Sequence, residues 1–149
     1  MSLKGKVIKQ IEIKSDCDMF HDLMCHKPHE ISNICPGTVQ GVELHEGQWG
    51  TAGSVICWNY VHDGVQSTGK EIVEPDMANK KIKFTVIEGD LLKLYKSFVI
   101  TFHVDKFDEY HLVSWTFEYE KMNEAIPAPD SLMDLFTKIT RDIEAHHLA

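Results

Sequence analysis

Six stretches that alternate apolar and polar residues follow one another at near-regular spacing, and one amphipathic helix closes the chain. That order leaves few ways to bury what must be buried. The stretches are residues 38–45, 54–60, 66–74, 81–88, 92–104 and 110–121, and each puts its apolar side chains on one face of a strand. Asp63-Gly64 is a strong hairpin turn, and Asn79-Lys80 and Glu88-Gly89-Asp90 are further turns between alternating runs. Beyond Asn123 the pattern changes. Pro127 and Pro129 stop any strand, Asp130 or Ser131 can cap a helix, and Leu132, Phe136, Ile139 and Ile143 recur at four, three and four residues with Leu135 beside them. The spacing predicts one helix running nearly to residue 149.

The first third of the chain adds one more strand. Residues 6–13 alternate, with Val7, Lys9, Ile11 and Ile13 on one face and Ile8, Gln10 and Glu12 on the other. Ser15 and Asp18 have capping-box spacing, so a short helix is predicted from there to about residue 24. A second begins near Pro28 and ends before Pro36-Gly37. The expectation is an α+β fold in one domain over residues 1–149, in which a seven-stranded antiparallel sheet curls around the C-terminal helix to cover its apolar face. The inner face would carry Ile56, Trp58 and Tyr60, then Ile82, Phe84 and Val86, then Phe98, Ile100 and Phe102, and finally Val113, Trp115, Phe117 and Tyr119. Such aromatics can fill a solid core or line a cavity, and periodicity alone favours the solid core.

Glu46-Gly47-Gln48-Trp49-Gly50-Thr51-Ala52-Gly53 lies between two of these strands. A phosphate-cradling loop needs a helix after it, whereas this one runs into the alternating segment from Ser54 to Tyr60, which disfavours a nucleotide site. A compact loop that approaches something closely is the remaining reading, with Gly47, Trp49, Gly50 and Gly53 as its key positions. The net charge of −8 repels nucleic acid and anionic membranes, so neither is an expected partner. No apolar run approaches a membrane span, and the N-terminal residues lack the apolar segment of a signal peptide, so the expected location is cytosolic. In that compartment Cys17, Cys25, Cys35 and Cys57 are expected as free thiols. Cys17, His21 and Cys25 share one helix face, but the paired Cys-x-x-Cys spacing of zinc sites is missing, and packing explains them better. No metal or other cofactor is expected. No hydrolase signature such as Gly-x-Ser-x-Gly occurs.

The element order, the Glu46-Gly47-x-Trp49-Gly50-Thr51-x-Gly53-Ser54 loop, Glu88-Gly89-Asp90-Leu91 followed by Tyr95-Lys96-Ser97-Phe98, and Trp115 with Tyr119-Glu120-Lys121 resemble the major latex and ripening-related proteins. These are a branch of the plant Bet v 1-like, pathogenesis-related class 10 superfamily. The resemblance spans essentially the whole chain. It implies a helix-grip fold with a V of two short helices and a large cavity for apolar plant metabolites such as sterols, flavonoids or hormones, which reverses the balance between cavity and solid core. It also implies a monomer and a link to defence, stress or ripening. Some members of the superfamily are enzymes of alkaloid metabolism. Gln48 and Trp49 depart from the more glycine-rich loop of the wider superfamily.

The leading expectation is therefore a binding and carrier protein for a small hydrophobic molecule, and the alternative is an isomerase or cyclase acting in the same cavity. The expected ligand-binding residues are Lys9, Ile56, Trp58, Tyr60, Ile82, Phe84, Phe98, Ile100, Phe102, Trp115, Phe117, Phe136 and Ile139. Lys9, in an otherwise apolar stripe, can hold a carbonyl or acid or act as a base, unless it snorkels from the strand edge. Glu71 is the other catalytic candidate, though a solvated side chain suits its strand equally well. Thr101 and His103 are further polar groups able to orient a ligand if they point inward.

Overall fold

The computed structural model describes residues 2–148. Strand β1 (Lys4–Ile13) leads into helix α1 (Cys17–His26), a 3-10 turn at Pro28–Glu30 and the short helix α2 (Ile31–Ile34). Strands β2 (Val39–Glu46), β3 (Ser54–His62), β4 (Val65–Asp76), β5 (Lys81–Gly89), β6 (Tyr95–Lys106) and β7 (His111–Lys121) follow, and helix α3 (Asp130–Leu148) ends the described chain. The strands form one sheet in the order β1-β7-β6-β5-β4-β3-β2, every pair antiparallel. From β3 onward each strand therefore lies beside its predecessor, and β1 closes the far edge against β7.

Two local expectations are corrected. The cap of α1 is Asp16, whose Oδ1 accepts the Asp18 N–H at 3.0 Å, whereas the Ser15 hydroxyl is buried without a partner. An acid one residue later reaches the exposed N–H groups of the first turn, and the helix runs on to His26. The strand expected from residue 92 begins only at Tyr95, because Asp90–Lys93 forms a 3-10 turn. Gly89 turns the chain there at φ +122°, in a place where any β-carbon would meet the Thr68 carbonyl oxygen. Asp90 then fixes the turn by accepting the Thr68 N–H at 2.7 Å and the Lys93 ammonium at 3.0 Å. Tyr95 starts the strand proper, anchored through its hydroxyl to the Pro127 carbonyl at 2.7 Å.

The concave face of the sheet grips α3. Leu132, Met133, Thr140, Ile143 and Glu144 of α3 are buried, on the stripe that the 3.6-residue period requires. Phe136 stands edge-on to both Trp115 and Phe117, at 4.9 Å between ring centroids in each case. The Trp115 indole donates to Thr140 Oγ1 at 2.9 Å, and that hydroxyl in turn donates to the Phe136 carbonyl at 2.8 Å. One turn further on, Glu144 accepts the Lys14 N–H at 2.6 Å, and Arg141 donates to the Glu12 carbonyl at 2.9 Å. The C-terminal half of α3 is thereby tied to the end of β1. Asp130 in the first turn of α3 suits the helix dipole.

Replacing Phe136 by alanine removes both edge-to-face contacts from this seam. The expected result is a loss of about 3–5 kcal/mol, as for other large-to-small changes at packed aromatic positions. Urea denaturation of Phe136→Ala with an unchanged slope measures it.

Candidate functional site: a cavity beneath the long helix

The inner face of the sheet divides into two parts. At β6 and β7 the aromatics pack on one another, Phe98 on Phe117 at 5.2 Å and Phe102 on Trp115 at 4.9 Å, with Tyr95 and Tyr119 beside them. Most of that half is solid core, with only Ile100 and Trp115 reaching the cavity. Between β3, β4, β5 and α3 the packing opens into a cavity that offers about 70 Å³ to the centres of water-sized molecules. This is about half of the roughly 150 Å³ of a cavity that admits a benzene ring. A larger guest needs the walls to move.

Trp58, Tyr60, Phe84, Ile100, Trp115, Phe136 and Ile139, seven of the expected ligand-binding residues, line the cavity. Ile56, Ile82, Phe98, Phe102 and Phe117 are buried but lie outside the lining, in the packed core. Alternation places a side chain on the inner face; it does not say whether a neighbour or a void lies opposite. The reading from sequence also missed several wall residues. Met24 of α1 and Ile31 of α2 form part of the lining, with Val39, Val86, Leu91, Leu132 and Leu135. Gly69 belongs to it as well, and a glycine inside a strand is a signal for space or close approach.

Lys9 is exposed and takes no part in the lining. Strand β1 is the sheet's edge, with a single hydrogen-bonded neighbour, and a lysine stem there can carry its ammonium to water although its parity matches Val7 and Ile11. Thr101 and His103 alternate with the buried Ile100, Phe102 and Val104, so the pleat turns them to the opposite face. His103 instead sits 3.4 Å from Asp105.

Glu71 is the reverse case. It is 8% exposed and faces the cavity, opposite Ile56 on β3 and Val86 on β5. Burial drives its carboxyl up to about 8, so it is mostly protonated at neutral pH. The Trp58 indole opposes that shift by a smaller amount, although its Nε1 stays short of hydrogen-bond geometry and is buried without a partner. Tyr60 feels the same surroundings, and burial together with the nearby Glu71 and Asp90 pushes its phenol well above its ordinary value. The cavity therefore has apolar walls with one polar patch, made of Trp58, Tyr60 and Glu71 on β3 and β4.

The loop from Gly47 to Gly53 seals the end of β2 and β3 and does not cradle an anion. Its Thr51, Gly53 and Ser54 N–H groups donate to the carbonyls of Gln48, Val73 and Thr51, and the Ser54 hydroxyl accepts the Gln48 N–H at 3.1 Å while donating to its carbonyl at 2.7 Å. These donors are spent within the fold. Trp49 lies against His29 at 4.4 Å between ring centroids. Gly50 adopts φ +80° with the His26 imidazole directly where a β-carbon would project. Loop and helix pair are thus clamped together.

Cys17, His21 and Cys25 lie on the buried face of α1. Burial pushes the two thiols up and the imidazole down, which favours their neutral forms. The structure does not gather them. Among the described residues, the grouping with metal-ligand spacing is Asp16, Cys17 and His111, and there His111 Nδ1 already accepts the Cys17 N–H at 2.9 Å. No helix among the described residues is long and apolar enough to cross a membrane.

A seven-stranded antiparallel sheet gripping one long helix, with two short helices beneath and a cavity between, defines a class, and comparison with known proteins agrees. Residues 2–149 match the pathogenesis-related protein Bet v 1 family. The chain is 44% identical to MLP-like protein 28 of Arabidopsis thaliana, over 99% of its own length and 45% of that protein's. It is also 44% identical to MLP-like protein 31 of the same plant, covering 99% of this chain and 88% of the relative. Among solved structures, major latex-like protein 151 of Panax ginseng superposes with a TM-score of 0.96 at 47% identity, over 99% of both chains. The chain belongs to the Bet v 1 family, in its major latex-like branch. It spans less than half the length of some of the relatives it matches and most of others.

The buried carboxyl has a consequence for stability. Its folded-state pKa of about 8 lies above its ordinary value of 4.5, so the folded protein holds a proton that the unfolded chain releases, and this contribution to stability declines as pH rises from about 4.5 to 8. Glu71→Gln cannot ionise. Its stability relative to wild type is therefore expected to rise between pH 5 and pH 8, by up to about 1.4 kcal/mol per pH unit. Paired urea titrations at the two pH values check the sign.

Proposed function

We propose that this chain is a cytosolic, monomeric carrier that encloses a small hydrophobic molecule beneath α3, in the defence, stress or ripening roles implied by the family resemblance. One ligand-binding domain over residues 1–149 suffices for this reading. The observation that carries it is the cavity itself, a void with apolar walls and a polar patch that includes the unpartnered Trp58 Nε1. Ligand surface removed from water contributes about 25 cal/mol per Å². Micromolar affinity, about 8 kcal/mol, then corresponds to roughly 330 Å² of apolar burial before the costs of association. The net charge of −8 supports a partner other than nucleic acid.

Glu71 favours a second reading, an isomerase or cyclase. A carboxyl held near 8 in a water-poor cavity can give or take a proton close to neutral pH. Tyr60 beside it can stabilise a developing oxyanion. No second charged group shares the lining, which supports the carrier as the leading reading.

The carrier is expected to bind a neutral, environment-sensitive dye with one-to-one stoichiometry and to release it to lipophilic plant metabolites, with Trp58 and Trp115 fluorescence reporting entry. A dye that stays dark on native protein removes the carrier reading. Recovery of a chemically altered metabolite from wild type, and of the unaltered one from Glu71→Gln, replaces it with the enzyme.

A further inference from the structure

The polar patch in the cavity contains an orphaned donor. Trp58 Nε1 is buried and has no hydrogen-bond partner. The Tyr60 phenol and the Glu71 carboxyl line the same void beside it. Buried polar groups are ordinarily satisfied, and leaving them unpaired is costly. An orphaned donor beside a phenol and a carboxyl, all on one void, points to a guest that supplies the partner.

The strand register explains the convergence. Trp58 lies opposite Gly69, Tyr60 opposite Ser67, and Glu71 opposite Ile56, so Trp58 and Glu71 are diagonal neighbours on the inner face, within mutual reach for long side chains. Gly69 has no side chain to fill the place between them. A β-carbon there would meet Tyr60 Cε1 at 3.8 Å, and its absence leaves a niche bordered by all three groups.

The chemistry of the niche selects its occupant. An indole N–H donates only, a phenol donates or accepts, and a protonated carboxyl does both. Lysine and arginine are absent from the lining, and α3, α1, α2 and β5 present only apolar side chains to it. The nearest charges lie elsewhere. Lys70 pairs with Glu88 at 2.9 Å, and Asp90 is held by Thr68 and Lys93. Nothing in the cavity can compensate an anion, and a carboxylate guest would be desolvated without a counter-charge. An ammonium guest would require Glu71 to ionise in the same apolar space and would leave the Trp58 and Tyr60 donors unused.

We propose that Trp58, Tyr60 and Glu71 form the head-group subsite of this cavity, which takes a neutral ring compound through one carbonyl or hydroxyl oxygen and rejects carboxylic acids. The proposal rests on the carrier reading and specifies its ligand class. The ring lies against the apolar wall beneath Phe136 and Ile139, and the oxygen accepts hydrogen bonds at the niche.

The test uses four single-ring probes on the full chain, followed by NMR titration: acetophenone, ethylbenzene, benzoate and benzylamine. Tyr60→Phe is expected to weaken acetophenone about five- to tenfold and to leave ethylbenzene within twofold, the pattern for one lost neutral hydrogen bond. Ionisation of Glu71 through about 8 is expected to weaken acetophenone about tenfold between pH 7 and pH 9 in wild type. In Glu71→Gln the affinity stays level across that range. Benzoate is expected not to bind at pH 7. Benzoate or benzylamine binding more tightly than acetophenone overturns the subsite, as does equal loss of acetophenone and ethylbenzene in Tyr60→Phe, and the carrier reading survives either result. Failure of both acetophenone and ethylbenzene to bind wild type removes the carrier reading and the subsite with it.

Discussion

Phe136, seated edge-on between Trp115 and Phe117, is the contact on which the rest of the structure depends. It fixes the height of α3 above the sheet, and the Trp115–Thr140 hydrogen bond fixes the helix's rotation. A long helix and a curved sheet bury one face each. Aromatic rings fill much of the interface over β6 and β7, whereas over β3 to β5 the side chains of Trp58, Tyr60, Phe84 and Val86 leave a void beneath the helix. The cavity is the space left by that uneven filling.

Its polar patch follows from the same arrangement. A carboxylate on an inner strand face is expensive unless it is paired, and no cation lines the cavity, so Glu71 holds its proton instead. The fold tolerates this because the void lets the carboxyl, the Tyr60 phenol and the Trp58 indole remain in place without forcing a packed core around them. The loss of stability at these positions is the kind that binding sites carry, since unsatisfied groups gain most when a ligand supplies the missing partner.

The loop side is built differently. The Gly47–Gly53 loop spends its amides on itself and on β4, and Trp49 rests against His29 beside α2. Glycine at position 50 lets the loop approach the His26 ring more closely than any other residue would permit. Loop, α1 and α2 therefore form one connected wall, and Met24 and Ile31 of that wall reach the cavity.

Much of this was legible in the chain. Period-two alternation in β2 to β7, the Asp63-Gly64 turn and the four-three-four spacing of Leu132, Phe136, Ile139 and Ile143 determine the element order and the inner faces, because strand and helix geometry impose those periods whatever lies around them. The aromatic rows and the loop motif extended that reading to the family. The cavity's polar residues were not legible in the same way. Lys9 and Glu71 are each a charged residue in a strand, and periodicity favoured Lys9 for the inside while leaving Glu71 undecided. Tertiary structure reversed that order: β1 ended at the sheet's edge, where a long stem reaches water, whereas β4 ended between β3 and β5, where Glu71 is buried facing the cavity. Sequence determines which way a side chain points from its own strand. Only the assembled fold decides whether what it points at is solvent, a neighbour or a void.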